Sequence, residues 1–155
     1  MTRAARGGRT IALVSGLMLG SGGAWAGANE GCLAIASYPD GEPLAQLAAT
    51  VFEMSYVHSV TRTPVVERYR LEGGTIVQTE LRFVEHGPGM PTEADPGQRF
   101  ERDDKGYVVT LDRRFPMVVM RVDAARSPRL SSGGVTLDLA QWGNRALALR
   151  TCGRQ

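Results

Sequence analysis

Residues 52–71 read FEMSYVHSVTRTPVVERYRL, and this stretch decides the fold: two extended segments joined by a polar bend. Successive side chains of a strand point to opposite faces. Phe52, Met54, Tyr56 and His58 therefore share one face, and Val51, Glu53, Ser55 and Val57 share the other. The first row is apolar until its last member, so it is assigned to the core, with His58 at the rim. In the second segment Val65, Glu67, Tyr69 and Leu71 share a face, while Val66, Arg68, Arg70 and Glu72 form a mostly charged row that faces water. Glu67 is thus expected inside, among three apolar neighbours. An inward carboxylate is unfavourable unless it is paired or hydrogen-bonded. His58, Ser59, Arg62 and Tyr56 are its candidate partners. Pro64 sits just before the second segment, Val65–Leu71, where a missing donor does little harm.

Working outward, Glu72-Gly73-Gly74 is a tight turn in which glycine supplies positive φ, and Thr75–Val84 returns as a strand with Val77, Thr79, Leu81 and Phe83 expected inside. Upstream, Cys32–Tyr38 reads as a strand and Pro39–Pro43 as a turn, while Leu44–Ala49 fits either a helical turn or the start of a strand. Downstream, Glu85–Lys105 holds three prolines and three glycines and is expected to be irregular. Loops of that length are either functional or disordered. Its first half, His86 to Pro91, is stiff and apolar enough to pack down. Further strands are expected at Gly106–Arg113, Met117–Val122, Val135–Ala140 and Arg145–Cys152. The unbroken apolar run of Met117–Val122 suggests that both its faces are covered. These eight strands, with turn signals at short intervals and no long amphipathic helix, give an all-β single domain, an antiparallel β-sandwich or barrel.

The first 26 residues are set apart. Arg3, Arg6 and Arg9 precede an apolar run, Ile11–Leu19, and Ala24-Trp25-Ala26 fits a small-x-small cleavage pattern. That is the layout of a secretory signal, and the run is shorter than the ~20 residues of a membrane span. The expectation is a signal cleaved near Ala26, a periplasmic domain over residues 27–155, and no membrane insertion afterwards; a retained anchor is the alternative. Three of the 18 basic residues and none of the 16 acidic ones precede Gly27, leaving 15 basic against 16 acidic. A nucleic-acid footprint needs a clustered basic surface, and none is visible, so nucleic acid is excluded as a partner. Two cysteines in an exported chain suggest one disulfide. Cys32 shares a strand face with Ala34 and Ala36, and Cys152 with Ala146 and Ala148. The first and last strands can then pair antiparallel with the sulfurs opposed; two free thiols are the alternative. By the chain-entropy account a bridge across so long a loop stabilises by roughly 5 kcal/mol at most.

Three kinds of chemistry fit the bend. His58 and His86, the two histidines of the chain, could join Glu67 around a transition metal, although no close ligand spacing is present and no metal or cofactor is assigned. Ser59 could act as a nucleophile with a histidine base and Glu67 as orienter, making a small periplasmic hydrolase. Triads are recognised by geometry, however, adjacent His58 and Ser59 point to opposite faces, and no Gly-x-Ser-x-Gly elbow exists. The reading preferred here is a hydrogen-bonded polar rim of Tyr56, His58, Ser59, Arg62, Glu67, Thr79, His86, Gly87, Gly89 and Pro91. Such a rim would bind a small polar or anionic ligand or a protein partner rather than carry out catalysis.

At SYVHSVTRTPVVERY the chain resembles a family of small exported bacterial proteins known as domain of unknown function family 1850. The resemblance continues through Thr79–Phe83, TELRF, and Gly87–Pro91, GPGMP. It implies conserved roles for Tyr56, His58, Ser59, Pro64, Glu67, Gly87, Gly89 and Pro91. It also implies a genomic association with tripartite transporters of the TRAP or TAXI type, and hence a transporter receptor or membrane subunit as partner. It implies no activity. Gly87-Pro88-Gly89 is a stiffer loop than the Gly-Ala-Gly of many members.

Overall fold

Alternation of apolar and polar residues, punctuated by Gly-Gly and Pro-Asp-Gly turns, builds a chain of strands. The structure is a computed structural model and describes residues 31–153. The segment read as an export signal lies outside the described residues. Eleven strands follow one another: β1 (Cys32–Ser37), β2 (Pro43–Ala48), β3 (Val51–Val57), β4 (Pro64–Glu72), β5 (Thr75–Phe83), β6 (Arg99–Asp103), β7 (Gly106–Phe115), β8 (Val118–Arg121), β9 (Arg129–Ser132), β10 (Val135–Asp138) and β11 (Ala146–Thr151). Short 3-10 turns at Ala124–Arg126 and Leu139–Trp142 complete the set. The strands form two antiparallel sheets, β2-β1-β11-β8 and β10-β9-β3-β4-β5-β7-β6. The sheets face each other as a sandwich and do not close into a barrel.

Three strands exceed the eight expected from sequence, and each has a physical reason. β2 settles the open choice at residues 44–49 in favour of a strand. β6 lies in the stretch expected to be irregular; its residues are nearly all charged, so no inward row signals it. It is a margin strand joined to β7 by a tight turn in which Asp103 accepts the Lys105 amide at 2.9 Å. Gly106 is required there, because a Cβ on it would stand 2.3 Å from the Phe83 carbonyl oxygen. β9 is only four residues long and contributes one fully buried side chain, Leu130.

The inner row expected for β5 is also corrected. The pairing of β5 slips at Thr79 against both β4 and β7. A bulge of this kind reverses the in–out parity of the strand. Ile76 and Gln78 are inward on one side of it, opposite Leu71 and Tyr69; Leu81 and Phe83 are inward on the other, opposite Glu67 and Val65. Val77 and Thr79 leave the row. Val77 is fully buried all the same, flanked in register by Arg70 and Arg114, whose long stems cover apolar surface.

The first and last strands pair antiparallel, and Cys32 and Cys152 form a disulfide with their Cα atoms 5.3 Å apart. The bridge closes the domain end to end.

The inner face of the large sheet carries two cores. One is shared with the small sheet and includes Leu33, Ile35, Phe52, Met54, Tyr69, Ile76, Leu147 and Leu149. The other belongs to β4, β5 and β7 beyond the reach of the small sheet: Val65, Leu81, Phe83, Val109 and Leu111, packed by Met90, Phe100, Tyr107 and Tyr56. Along β4 the inward row passes from Val65 in the second core to Tyr69 in the first, and Glu67 stands between them. The outer face carries a ladder of ion pairs across strands, Glu53–Arg68–Glu80–Arg82–Asp103, each link 2.9–3.1 Å. Asp103 titrates below its ordinary range because the Lys105 amide and the Arg82 guanidinium both bond its carboxylate. Exposed pairs of this kind are individually weak; their consistency shows that this face is built for water.

Candidate functional site

β3 and β4 pair with Met54 opposite Glu67 and Tyr56 opposite Val65. That register places the polar residues of the bend in two separate sites rather than one.

The first site is a closed clamp. His58 ends the inward row and is buried. Its Nδ1 accepts the backbone amides of Val60 at 3.3 Å and Thr61 at 3.2 Å. Both are donors, so Nε2 carries the ring hydrogen and donates it to the Pro88 carbonyl at 3.1 Å. The bend closes with the His58 amide on the Thr63 carbonyl, 2.9 Å, and the Arg62 amide on the His58 carbonyl, 3.1 Å. Arg62 takes a left-handed conformation, φ 62°. Gly87 lies flat on the imidazole: a Cβ there would stand 2.6 Å from His58 Cε1. The loop at His86–Pro91 is thus docked on the bend by one histidine. Gly89 has φ 87°, which glycine adopts without strain, and Met90 reaches the second core.

The second site is open. Glu67 accepts the Tyr56 hydroxyl on Oε1 at 3.1 Å and the Tyr69 hydroxyl on Oε2. Tyr69 is held for this by stacking on Phe52, centroids 4.8 Å apart. Burial, and then the charge of Glu67 and its hydrogen bonds, push both phenols well above their ordinary pKa. Both therefore remain donors at neutral pH. No basic side chain forms an ion pair with Glu67 among the described residues. The carboxylate opens on a cleft of about 250 Å³ between Met54, Tyr56 and Glu67 of the large sheet and Val118–Arg121 of the small one. Asp123, Arg126 and Pro128 close one end of it. Asp123 caps the 3-10 turn through the Ala125 amide, and Arg126 is occupied, bonding Asp123 at 3.3 Å and the Ser59 carbonyl at 3.1 Å.

The structure therefore separates the residues expected to act together. Of the four candidate partners of Glu67 only Tyr56 reaches it. His58 shares its face but lies four residues beyond Met54, roughly 13 Å along the strand. Ser59 is exposed and engages Arg126 through its backbone. Arg62 is exposed and makes no ion pair among the described residues. Thr79 bonds the Arg68 carbonyl at the bulge, 3.2 Å. His86 packs among Phe83, Phe100 and Tyr107 instead of joining His58. No three metal-ligating side chains converge among the described residues. Both His58 nitrogens are committed to backbone groups, so neither is free to take a proton from Ser59.

Tyr69, Met120 and Arg126 were not singled out by sequence. Tyr69 could have been: it stands two residues after Glu67 on the same face, and a phenol on an inward row needs a polar partner. Nothing in the sequence brings Met120 or Arg126 to the cleft, because that depends on how the two sheets face.

The chain has no match among curated proteins or among solved structures. Residues 52–139 match the family model described as domain of unknown function, DUF1850. That span holds β3 to β10, both histidines and the Glu67 cleft, and by it the chain belongs to the DUF1850 family.

Proposed function

We propose that this protein is an exported accessory of a tripartite, TRAP-type transport system, and that it works by binding at the Glu67 cleft. The observation that carries the binding assignment is an inward carboxylate with two phenol donors and no ion-pair partner among the described residues. A half-buried charge is satisfied best by an opposite charge brought to it. The oxygens keep acceptor capacity beyond the two tyrosine bonds, and the apolar walls, Met54 and Met120, exclude water from a ligand's stem. Among the small polar or charged ligands considered from sequence, the cleft thus favours a positively charged group, such as an ammonium or guanidinium, over an anion. A periplasmic location is supported by the signal-like N-terminus and by a disulfide suited to an oxidising compartment. The transport link rests on the family resemblance.

Titration with n-butylammonium, followed by the chemical shifts of Tyr56 and Tyr69, tests the site. Saturable binding that is absent for butyrate and lost in Glu67→Gln is expected. Equal response to both ions, or unchanged binding in Glu67→Gln, would remove the cleft from consideration. The transport role is tested apart from this, by co-purification with a transporter receptor or membrane subunit from the native host.

A further inference from the structure

One wall of the cleft has unused bonding capacity. β8 is the last strand of the small sheet and pairs only with β11. In an antiparallel ladder, residues alternate between those that turn N–H and C=O to a given neighbour and those that turn away. On β11, Cys152 donates its amide to the Cys32 carbonyl at 2.9 Å, and Ala146 accepts the Tyr38 amide at 3.0 Å. Ala146 and Ala148 therefore turn to β1. The residues opposite them on β8 are Arg121 and Val119. Val122 confirms the phase from the other side, since its amide goes to the Arg145 carbonyl at 2.8 Å. The N–H and C=O of Val119 and Arg121 thus point away from β11, toward the open side, and no hydrogen bond among the described residues engages them.

The other sheet margins are defended as margins usually are. β6 carries Arg99, Glu101, Arg102 and Asp103; β2 begins at Pro43 and pairs through a bulge; β10 ends in Asp138 and turns at once into a 3-10 turn. β8 is four residues long and follows Pro116, but within the strand no charge or proline precedes Arg121. The sequence expectation that both its faces are covered is corrected here: Val119 is 45% exposed and the adjoining Met117 37%. An apolar margin with free backbone groups thus runs beside a carboxylate that has no ion-pair partner among the described residues.

We propose that β8 accepts an extended segment of a partner protein as a fifth strand of the small sheet, with a lysine or arginine of that segment set on Glu67. This rests on the reading that the cleft takes a positive group, and it names the carrier of that group. Charge selects the occupant. Arg126 is already held by Asp123 and Ser59. Arg121 borders the cleft, but it is exposed and alternates with Met120, which turns its side chain to the outer face, so the side-chain charge left facing the cleft is that of Glu67. The cleft, about 250 Å³, has room for one long side chain. Backbone bonds to the two free residues supply affinity without sequence preference, and the pocket supplies the selection, as in other strand-addition complexes.

The test uses capped heptapeptides of alternating valine and threonine at millimolar concentration. One has a central lysine; a second has norleucine in its place; a third keeps the lysine but has N-methylated backbone amides. The lysine peptide is expected to slow hydrogen exchange at the Val119 and Arg121 amides at least tenfold. The other two peptides should bind at least tenfold more weakly. Val119→Pro removes an edge-facing donor and no bond to β11, so it should abolish peptide binding while the amides of β11 keep their protection from hydrogen exchange. Equal binding of the N-methylated peptide, or unchanged exchange at Val119 and Arg121, overturns the strand and leaves a site for small cations. Protection of the same amides by rising protein concentration alone assigns the edge to a second copy of the chain and also overturns it. Failure of both the lysine peptide and n-butylammonium removes the cleft reading as well.

Discussion

The His58 clamp and the Glu67 cleft are built on the same two strands, both from polar residues on an inward row, yet they are finished in opposite ways. His58 spends every ring nitrogen on backbone of the bend and of the facing loop, and Gly87 seals it. Glu67 is held by two phenols that neutralise none of its charge, and it faces a cleft. A buried polar group whose partners are all backbone fixes structure. One left with charge to spare is available to something else.

The largest effect should fall on the clamp. His58→Ala leaves two backbone amides and the Pro88 carbonyl without partners and opens a cavity under Gly87, a loss of about 3 kcal/mol. Gly87→Ala forces a methyl group onto the imidazole and should destabilise by about 2 kcal/mol through overpacking. Glu67→Gln should stay within about 1 kcal/mol of the parent, since the amide can accept from one phenol and donate to the other, and no charge remains to be desolvated. Urea midpoints of the three variants test the contrast. A Glu67→Gln variant as unstable as His58→Ala would make the cleft a structural element like the clamp.

A smaller effect separates the sites by pH. The pKa of Tyr56 and of Tyr69 is raised in the fold, first by burial and then by Glu67. Above the unfolded value of about 10 the unfolded chain releases phenol protons that the folded chain keeps. Stability is then fully present below pH 10 and falls as pH rises further, by at most about 1.4 kcal/mol per pH unit for each proton. Tyr56→Phe and Tyr69→Phe should each flatten this alkaline slope, read as urea midpoints between pH 8 and pH 11.5. Glu67→Gln should retain most of it, because burial is the larger cause. His58→Ala should leave it unchanged; an altered slope there would mean that clamp and cleft are coupled.

The rule that strand side chains alternate made much of this legible. It set Phe52, Met54 and His58 inside, turned Arg68 and Arg70 outward, and put Glu67 among apolar neighbours, as found. It failed where alternation itself is broken or uninformative: at the Thr79 bulge, in charged β6, and in the short β9. It also fixes only the face a residue points to, not its distance along the strand. That is why His58 was expected beside Glu67. β8 shows a different limit: a continuous apolar run reads as covered on both faces, and only the arrangement of sheets shows that one edge is bare.

The smallest effect concerns strain in the bend, and it asks whether the clamp can be relaxed without touching the cleft. Arg62 has φ 62°, is exposed, and bonds the His58 carbonyl through its amide. A left-handed conformation disfavours a residue with a Cβ by roughly 1–2 kcal/mol. Glycine escapes this but loses more chain entropy on folding, by about 0.5–1 kcal/mol. The terms nearly offset, and Arg62→Gly should raise stability by about 0.5 kcal/mol. Its midpoint should rise slightly while n-butylammonium binding stays at the parent value. Lower stability would mean that the arginine side chain contributes a contact to the bend. Altered binding would mean that the bend reaches the cleft after all, for example through the hydrogen bond from Arg126 to the Ser59 carbonyl.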